Sequence, residues 1–343
     1  MILAGDIGGT KTTLALFDWK TERVDPVREQ TFASADYKAL GEILEEFFLP
    51  PVKPKQDDDA GEAAPEPEQP PSIDAACFGI AGPVIENTSK TTNLPWVVDG
   101  ADLSKRFGIP QVRLLNDLEA TAYGLLVLTP DETDVLNAGM PPATKGAMAL
   151  IAAGTGLGEA ILYWDGTTYQ PMPSEGGHCS FAPTSELEME LLRYVRTHHT
   201  HVSYERVLSG MGLHAIYEFL RDTKRNEPTW LAEKLKVEDP PAVIAEAGLK
   251  KQAEIAVQAL DMFTTIYGAE AGNLALKALA LDGLYIGGGI APKLLAKLKD
   301  GAFMKAFTHK GRYKKLLATI PVRVITNPKA ALLGAASVAA RLR

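Results

Sequence analysis

Apolar and polar positions along this chain switch between strand-like and helical spacing, and the switches outline its elements. From Met1 to Phe17 an apolar, β-leaning run is interrupted only around "DIGGTK" and resumes in "TLALF", which reads as strand, glycine-rich turn, strand. Leu40, Ile43, Leu44 and Phe47 recur at helical spacing and predict a helix over Asp36–Leu49. "DAACFGIAG" returns to the strand pattern, followed by a strand at Val112–Leu115 and a helix at Leu118–Leu128. "ALIAAGTGLGEAILYW", Ala149–Trp164, repeats the opening design of strand, glycine turn and strand, without repeating its sequence. Thr184–Leu279 reads as mostly helical, with an Ala/Leu-rich helix over Leu249–Ala280 expected in the core or at a dimer interface. "LDGLYIG" predicts a last buried strand leading to a helix in "GGIAPKLLAKL", and a strand at Val322–Ile325 and a helix at Lys329–Leu342 close the chain.

One stretch breaks the pattern. The segment about 54–71 is Pro-rich, acidic and without aromatics, a composition that cannot bury enough to order itself, so it is expected to be a disordered insertion inside the first domain. Asp57, Asp58, Asp59, Glu62, Glu66 and Glu68 lie in it, so much of the net charge of −8 is local. That balance argues against a nucleic-acid partner. At 343 residues two domains are the default. Two cysteines, Cys77 and Cys179, make neither a disulfide framework nor a zinc spacing. No apolar run is long enough for a membrane span and no signal peptide is read at the start, so a cytoplasmic location without membrane association is expected.

Glycine turns that follow apolar strands expose backbone N–H groups and can cradle phosphate. Taken singly each is an ordinary hairpin. Three together point to a nucleotide: Gly8, Gly9 and Thr10 with Asp6 before them and Lys11 after; Gly154, Thr155 and Gly156; and Gly287, Gly288 and Gly289. Asp6 can hold the water shell of a Mg²⁺ arriving with ATP; no direct protein ligand to a metal is expected. Two facing phosphate hairpins and an adenosine turn resemble the actin-like ATPase fold shared by sugar kinases.

Polar residues for an acceptor follow. "VRLLND" ends in Asn116-Asp117 and turns into a helix, where a carboxylate serves equally as helix cap or as site residue. "PSEGGHCSFAP" sets Glu175 and His178 around two glycines, and "VSYERVLSGMGL" sets Glu205 in a polar segment. Such groups read vicinal hydroxyls, each of which is both donor and acceptor.

"GDIGGTKT", "LLNDLEATAYG", "AAGTGLGEA", "EGGHCSFAP" and "ERVLSGMGL", in this order, resemble the bacterial glucokinases, as does the tail "GRYKKLLATIPVRVITNPKAALLGAA". The resemblance runs over essentially the whole chain. It implies an α/β, two-lobed actin-like ATPase (ribonuclease H-like) sugar kinase fold with a cleft between a small domain (1–115 plus 329–343) and a large one (116–328). It implies ATP and Mg²⁺ as cofactors, glucose as substrate, glycolysis as the destination of the product, and a homodimer. Asp117 matches the family's catalytic base; Asn116, Asp117, Glu175, His178 and Glu205 match its glucose ligands; Asn93 in "TTNLPW" falls where the family lines the sugar pocket. The Cys-rich zinc motif of the related repressor/kinase group and its winged helix are not seen in the sequence.

The rivals are a kinase for another hexose or N-acetyl amino sugar, a non-catalytic sugar sensor, and a filament former, which would not need Glu175, His178 and Glu205 together. "RTHHTH" at 196–201 reads as a solvated helix end, with His198 and His201 on one face but without a metal partner. "HKGRYKK" at 309–315 reads as a solvated basic face.

Overall fold

The structure, a computed structural model, describes residues 1–49, 72–91, 94–140, 142–223 and 227–343. The acidic Pro-rich insertion and Asn93 lie outside the described residues. The chain forms two compact units, 1–127 with 329–343, and 128–328.

The first unit is built around a five-stranded sheet. Ile2–Ile7 (β1) and Lys11–Phe17 (β2) form the expected hairpin, and Arg28–Ala33 (β3) adds an edge strand that the sequence pattern did not reveal. Leu40–Phe48 (α1) buries Leu40, Ile43, Leu44 and Phe47, the four positions that predicted it. Ala75–Ile80 (β4) is buried at every residue, as a central parallel strand must be. Val84–Ile85 (β5), Thr88–Lys90 (β6) and Val97–Asp99 (β7) make a small antiparallel sheet, followed by Gly100–Phe107 (α2). Gln111–Asn116 (β8) then pairs parallel to β4 and runs straight into Asp117–Leu125 (α3).

In the second unit, Thr133–Asn137 (β9) is an edge strand, and Met148–Ala153 (β10) and Leu157–Trp164 (β11) form the second hairpin. Tyr169–Ser174 (β12) holds Pro171 and Pro173 and lies at the other edge, where proline costs least. Glu186–Val195 (α4), Gly210–Thr223 (α5), Thr229–Lys234 (α6), Pro240–Leu249 (α7) and Glu254–Ala278 (α8) make up the helical stretch. Gly283–Gly287 (β13) and Val322–Ile325 (β14) complete the sheet.

The two sheets share one plan. The first runs β3-β2-β1-β4-β8 and the second β12-β11-β10-β13-β14, with β9 added at the end. In each, the first two pairings are antiparallel and the next two parallel. The duplication suggested by the two glycine turns is therefore a duplication of topology. Each sheet has its own hydrophobic core, and α8 is the central helix of the second, burying sixteen residues along its length.

Several expectations need correction. The boundary placed at Asn116 moves: α3 belongs to the first unit because it packs on the C-terminal helix, Ala330–Arg341. Gly124 and Gly334 make that approach possible, since a Cβ on either would overlap backbone of the other helix. The helix expected over Leu249–Ala280 is broken at Lys250–Ala253, where Lys251 takes a positive φ of 54°. "GGIAPKLLAKL" begins with turns, and only Leu295–Leu298 (α9) is helical. "RTHHTH" starts after α4 has ended, so its histidines share no helix face. In "HKGRYKK" the other residues are exposed, but Lys310 is half-buried: its Nζ donates to Ala269 O at 2.8 Å and Asn273 Oδ1 at 2.6 Å. Among the described residues no helix is long and apolar enough to cross a membrane.

Candidate active site

In the first unit the chemistry gathers where β1, β4 and β8 end. Gly8 N donates to Lys11 O at 2.9 Å and closes the β1–β2 turn. Ser34 supports it from behind: its N–H donates to Thr10 O at 3.0 Å, its Oγ donates to Gly8 O at 2.8 Å, and the same Oγ pairs with Thr12 Oγ1. Thr12 and Ser34 are buried, whereas Thr10 and Lys11 are exposed. Among the described residues the amides of Gly9 and Thr10 have no acceptor, which is the condition for an anion cradle. Sequence reasoning missed Ser34, because one serine after an edge strand carries no pattern of its own.

Asn116 and Asp117 divide the work at the start of α3. Asn116 is the N-cap, its Oδ1 accepting from Leu118 N at 2.9 Å and its Nδ2 donating to Gly82 O at 3.0 Å. One N–H and one lone pair of that amide remain for a further partner. Asp117 is the first helical residue, with Oδ1 accepting from Leu118 N at 2.8 Å. The cap-or-site ambiguity at Asp117 is thereby reduced, because its neighbour supplies the cap. Asp6, on β1, is near enough to Asp117 to feel its charge. Burial first, and Asp117 second, push the Asp6 carboxyl up to about 6.

In the second unit, the turns that carry Glu175, His178 and Glu205 come together beside the β10–β11 glycine turn. The turn Gly176–His178 lies directly on β11: a Cβ on Gly176 would run into Glu159, and one on Gly177 into the carbonyl of Leu157. The glycines of "EGGH" are thus a packing requirement. They leave Glu175 and His178 exposed on either side of the turn, with His178 Nε2 3.9 Å from Glu175 Oε2. A second turn, Tyr204–Arg206, is laced to the first, as Tyr204 N donates to Cys179 O at 2.9 Å and Phe181 N to Val202 O at 2.9 Å. Glu205 reaches the β10–β11 turn, its Oε2 accepting from Leu157 N at 3.0 Å. Gly210 N donates to Gly154 O at 2.9 Å, so the start of α5 holds the same turn. Thr155 at the tip is exposed, and Gly156 O accepts from Gly154 N at 2.8 Å.

The turn of Gly287, Gly288 and Gly289 sits beside it. Gly288 has φ 80° and lies against Ala153 O, so a side chain there would be both strained and blocked. Both turns are at the carboxyl ends of neighbouring parallel strands, β10 and β13, where α/β sheets place ligands. Among the described residues no three His, Cys, Asp or Glu side chains are grouped as a metal site.

A family model described as glucokinase matches residues 3–342. The chain belongs to the glucokinase family. It is 43% identical to the glucokinase of Nostoc punctiforme over 100% of this chain and 99% of that one. It is similar to the solved glucokinase of an Antarctic psychrotroph, with TM-score 0.78 and 28% identity over 99% of this chain and 98% of that one. A ROK family glucokinase from Streptomyces griseus, solved with glucose and AMPPNP, shares the fold at TM-score 0.63 and 19% identity, covering 99% of both chains. The sugar kinase fold expected from the sequence is therefore the fold of this chain. The glucokinase family is also the one that the five quoted motifs resembled.

Proposed function

We propose that this chain transfers the γ-phosphoryl group of MgATP to O6 of D-glucose, giving glucose 6-phosphate and ADP, with Asp117 as general base. The glucokinase activity rests on the family match along the whole chain. The observation that carries the assignment of the base is that Asp117 stands at the junction of β8 and α3, where Asn116 supplies the N-cap, with its carboxylate close enough to Asp6 to raise that group's pKa.

Asp117 takes the proton of the 6-hydroxyl as O6 bonds to phosphorus and the bond to the ADP oxygen breaks. Phosphoryl transfer has a loose transition state, so alignment and charge neutralisation supply most of the acceleration. The glycine turns at Gly8–Thr10, Gly154–Gly156 and Gly287–Gly289 bind the nucleotide through backbone N–H groups and the hydroxyls of Thr10 and Thr155. Asp6 fits the cation that travels with ATP, being an acid near the end of β1 beside the cradle, and that cation would neutralise phosphate charge. Lys11 is exposed at the same turn and free to approach phosphate. Glu175, His178, Glu205 and Asn116 read the sugar hydroxyls. We further propose that the protein acts in the cytoplasm, as a homodimer, at the entry of glucose into glycolysis.

A coupled assay with MgATP against glucose, mannose, fructose, galactose, N-acetylglucosamine and N-acetylmannosamine tests the reading. Turnover on glucose far above the rest is expected; preference for an N-acetyl sugar would move the substrate and keep the base.

The Asp6–Asp117 pair predicts an acid limb. As pH rises through about 6, Asp6 loses its proton and gains the charge that attracts the cation. kcat/KM for MgATP should rise over that range with an apparent pKa belonging to the pair. Asp6→Asn should abolish the limb and lower activity. The stability that protonated Asp6 contributes is full below 3.8 and lost as pH rises through about 6. Asp6→Asn should therefore melt higher than the parent at pH 7, an exchange of activity for stability.

A further inference from the structure

Behind the "EGGH" turn lies a buried polar cluster that the phosphoryl transfer does not use. Glu159 on β11 is 2% exposed and Glu270 on α8 is 0% exposed. The two carboxyls face each other within hydrogen-bonding reach, and among the described residues Glu159 Oε1 has no donor. Glu270 Oε1 pairs with Lys277 Nζ at 3.3 Å, and Glu270 Oε2 accepts from Asn273 Nδ2 at 2.8 Å. The same Nδ2 donates to Tyr204 OH at 3.0 Å, and Tyr204 adjoins Glu205. Gly176 rests directly on Glu159.

Two carboxylates side by side in a buried site cannot both stay ionised without large cost. One proton between them makes a charge-assisted O–H···O⁻ bond instead. We infer that Glu159 and Glu270 share one proton and act as a positioning pair for the sugar-binding turns. Glu159 supports Gly176–His178 from below, and Glu270, through Asn273 and Tyr204, supports the turn that carries Glu205. The inference rests on the glucokinase reading of these turns.

The surroundings agree. From α8, Lys277 and Tyr267 face the pair, and from the second turn Tyr204 does; Lys310 reaches the edge of the cluster through Asn273. Cys179 lies near Lys277, and Glu188 near Lys310. Lys277 forms its ion pair with Glu270 and also acts on Glu159, and Lys310 acts on Glu270. Among the described residues Glu159 itself makes no ion pair, so a second negative charge there is the one least compensated. Burial, then the charge of Glu270, push the Glu159 carboxyl up to about 8. The stability contributed by the protonated form is full below 4.5 and gone above about 8. Above that pH the unsolvated Oε1 and the facing carboxylate drive Glu159 away from Gly176.

The test uses the full chain with Glu159→Gln, which keeps a donor toward Glu270 without a titrating proton, and Glu159→Leu, which removes it. For the parent, glucose KM should rise as pH passes about 8 while the KM for MgATP stays level. Glu159→Gln should hold the parent's KM at pH 7 and lose the alkaline rise. Glu159→Leu should raise glucose KM about tenfold at pH 7, the scale of a buried hydrogen-bond arrangement lost, and speed amide exchange at His178 and Cys179. A merely structural role would lower the melting temperature of Glu159→Leu without this split between the two substrates. The infrared band of a protonated carboxylic acid should be present in the parent at pH 7 and absent in Glu159→Gln. A parent without that band, or a folded Glu159→Leu protein with unchanged glucose KM and unchanged exchange, overturns the inference. A parent inactive on glucose that shows the band and the exchange difference would remove the glucokinase reading and support the positioning pair.

Discussion

Asp117→Ala is expected to lose about 10²–10⁴-fold in kcat, the usual contribution of a positioned base, while still binding glucose and MgATP. On the proposed reading several polar groups bind the sugar, so losing one carboxylate should cost less in affinity than in rate. The substitution also removes the second cause of the raised Asp6 pKa. The acid limb of kcat/KM for MgATP should consequently move to lower pH in the residual activity. That shift reports the charge of Asp117 beside Asp6, whereas the loss of kcat reports its role as the base. Steady-state rates across pH with calorimetric glucose binding measure both effects. A kcat within a few-fold of the parent would dismiss Asp117 as the base.

Gly334→Val is expected to be the most damaging change far from any ligand. Gly334 lies against the backbone of Ala120 and Gly124, so the added side chain meets a main-chain carbonyl rather than a flexible neighbour. Overpacking costs about 1–3 kcal/mol even where side chains can adjust, and here the helices themselves must separate. The C-terminal helix forms the floor of α3, so the displacement reaches Asp117 as well. A marked fall in melting temperature together with lost kcat is expected. Gly146→Ala is the control, since its Cβ would meet Leu281 Cβ at an ordinary 3.5 Å. A Gly334→Val protein that melts with the parent would show that the helix contact does not hold α3.

Much of this molecule is legible in its pattern. Leu40, Ile43, Leu44 and Phe47 predicted α1 because a one-sided helix repeats every three to four residues, and all four are buried. The "GTG" hairpin was legible because glycines between two apolar runs leave few alternatives to a turn. Edge elements were less so. β3 carries "REQTFA", polar along an exposed edge, and β12 carries two prolines; neither resembles an isolated strand, and each exists because a neighbouring strand offers hydrogen bonds.

The site divides in the same way. The residue types and the order of Asp6, Asn116-Asp117, "EGGH" and Glu205 are properties of the sequence, because the chemistry of polyols and phosphate demands those groups and the chain carries them in recognisable motifs. Their allocation was decided by tertiary structure. Whether Asn116 or Asp117 caps α3 depends on how β8 delivers the helix, and the Asp6 pKa depends on burial and on a partner more than a hundred residues away. Glu159, an acid in an apolar strand, and Glu270, inside an apolar helix, each look anomalous alone. Only the packing of α8 on the second sheet makes them a pair, because a shared proton requires two carboxyls in contact and no sequence spacing encodes that contact.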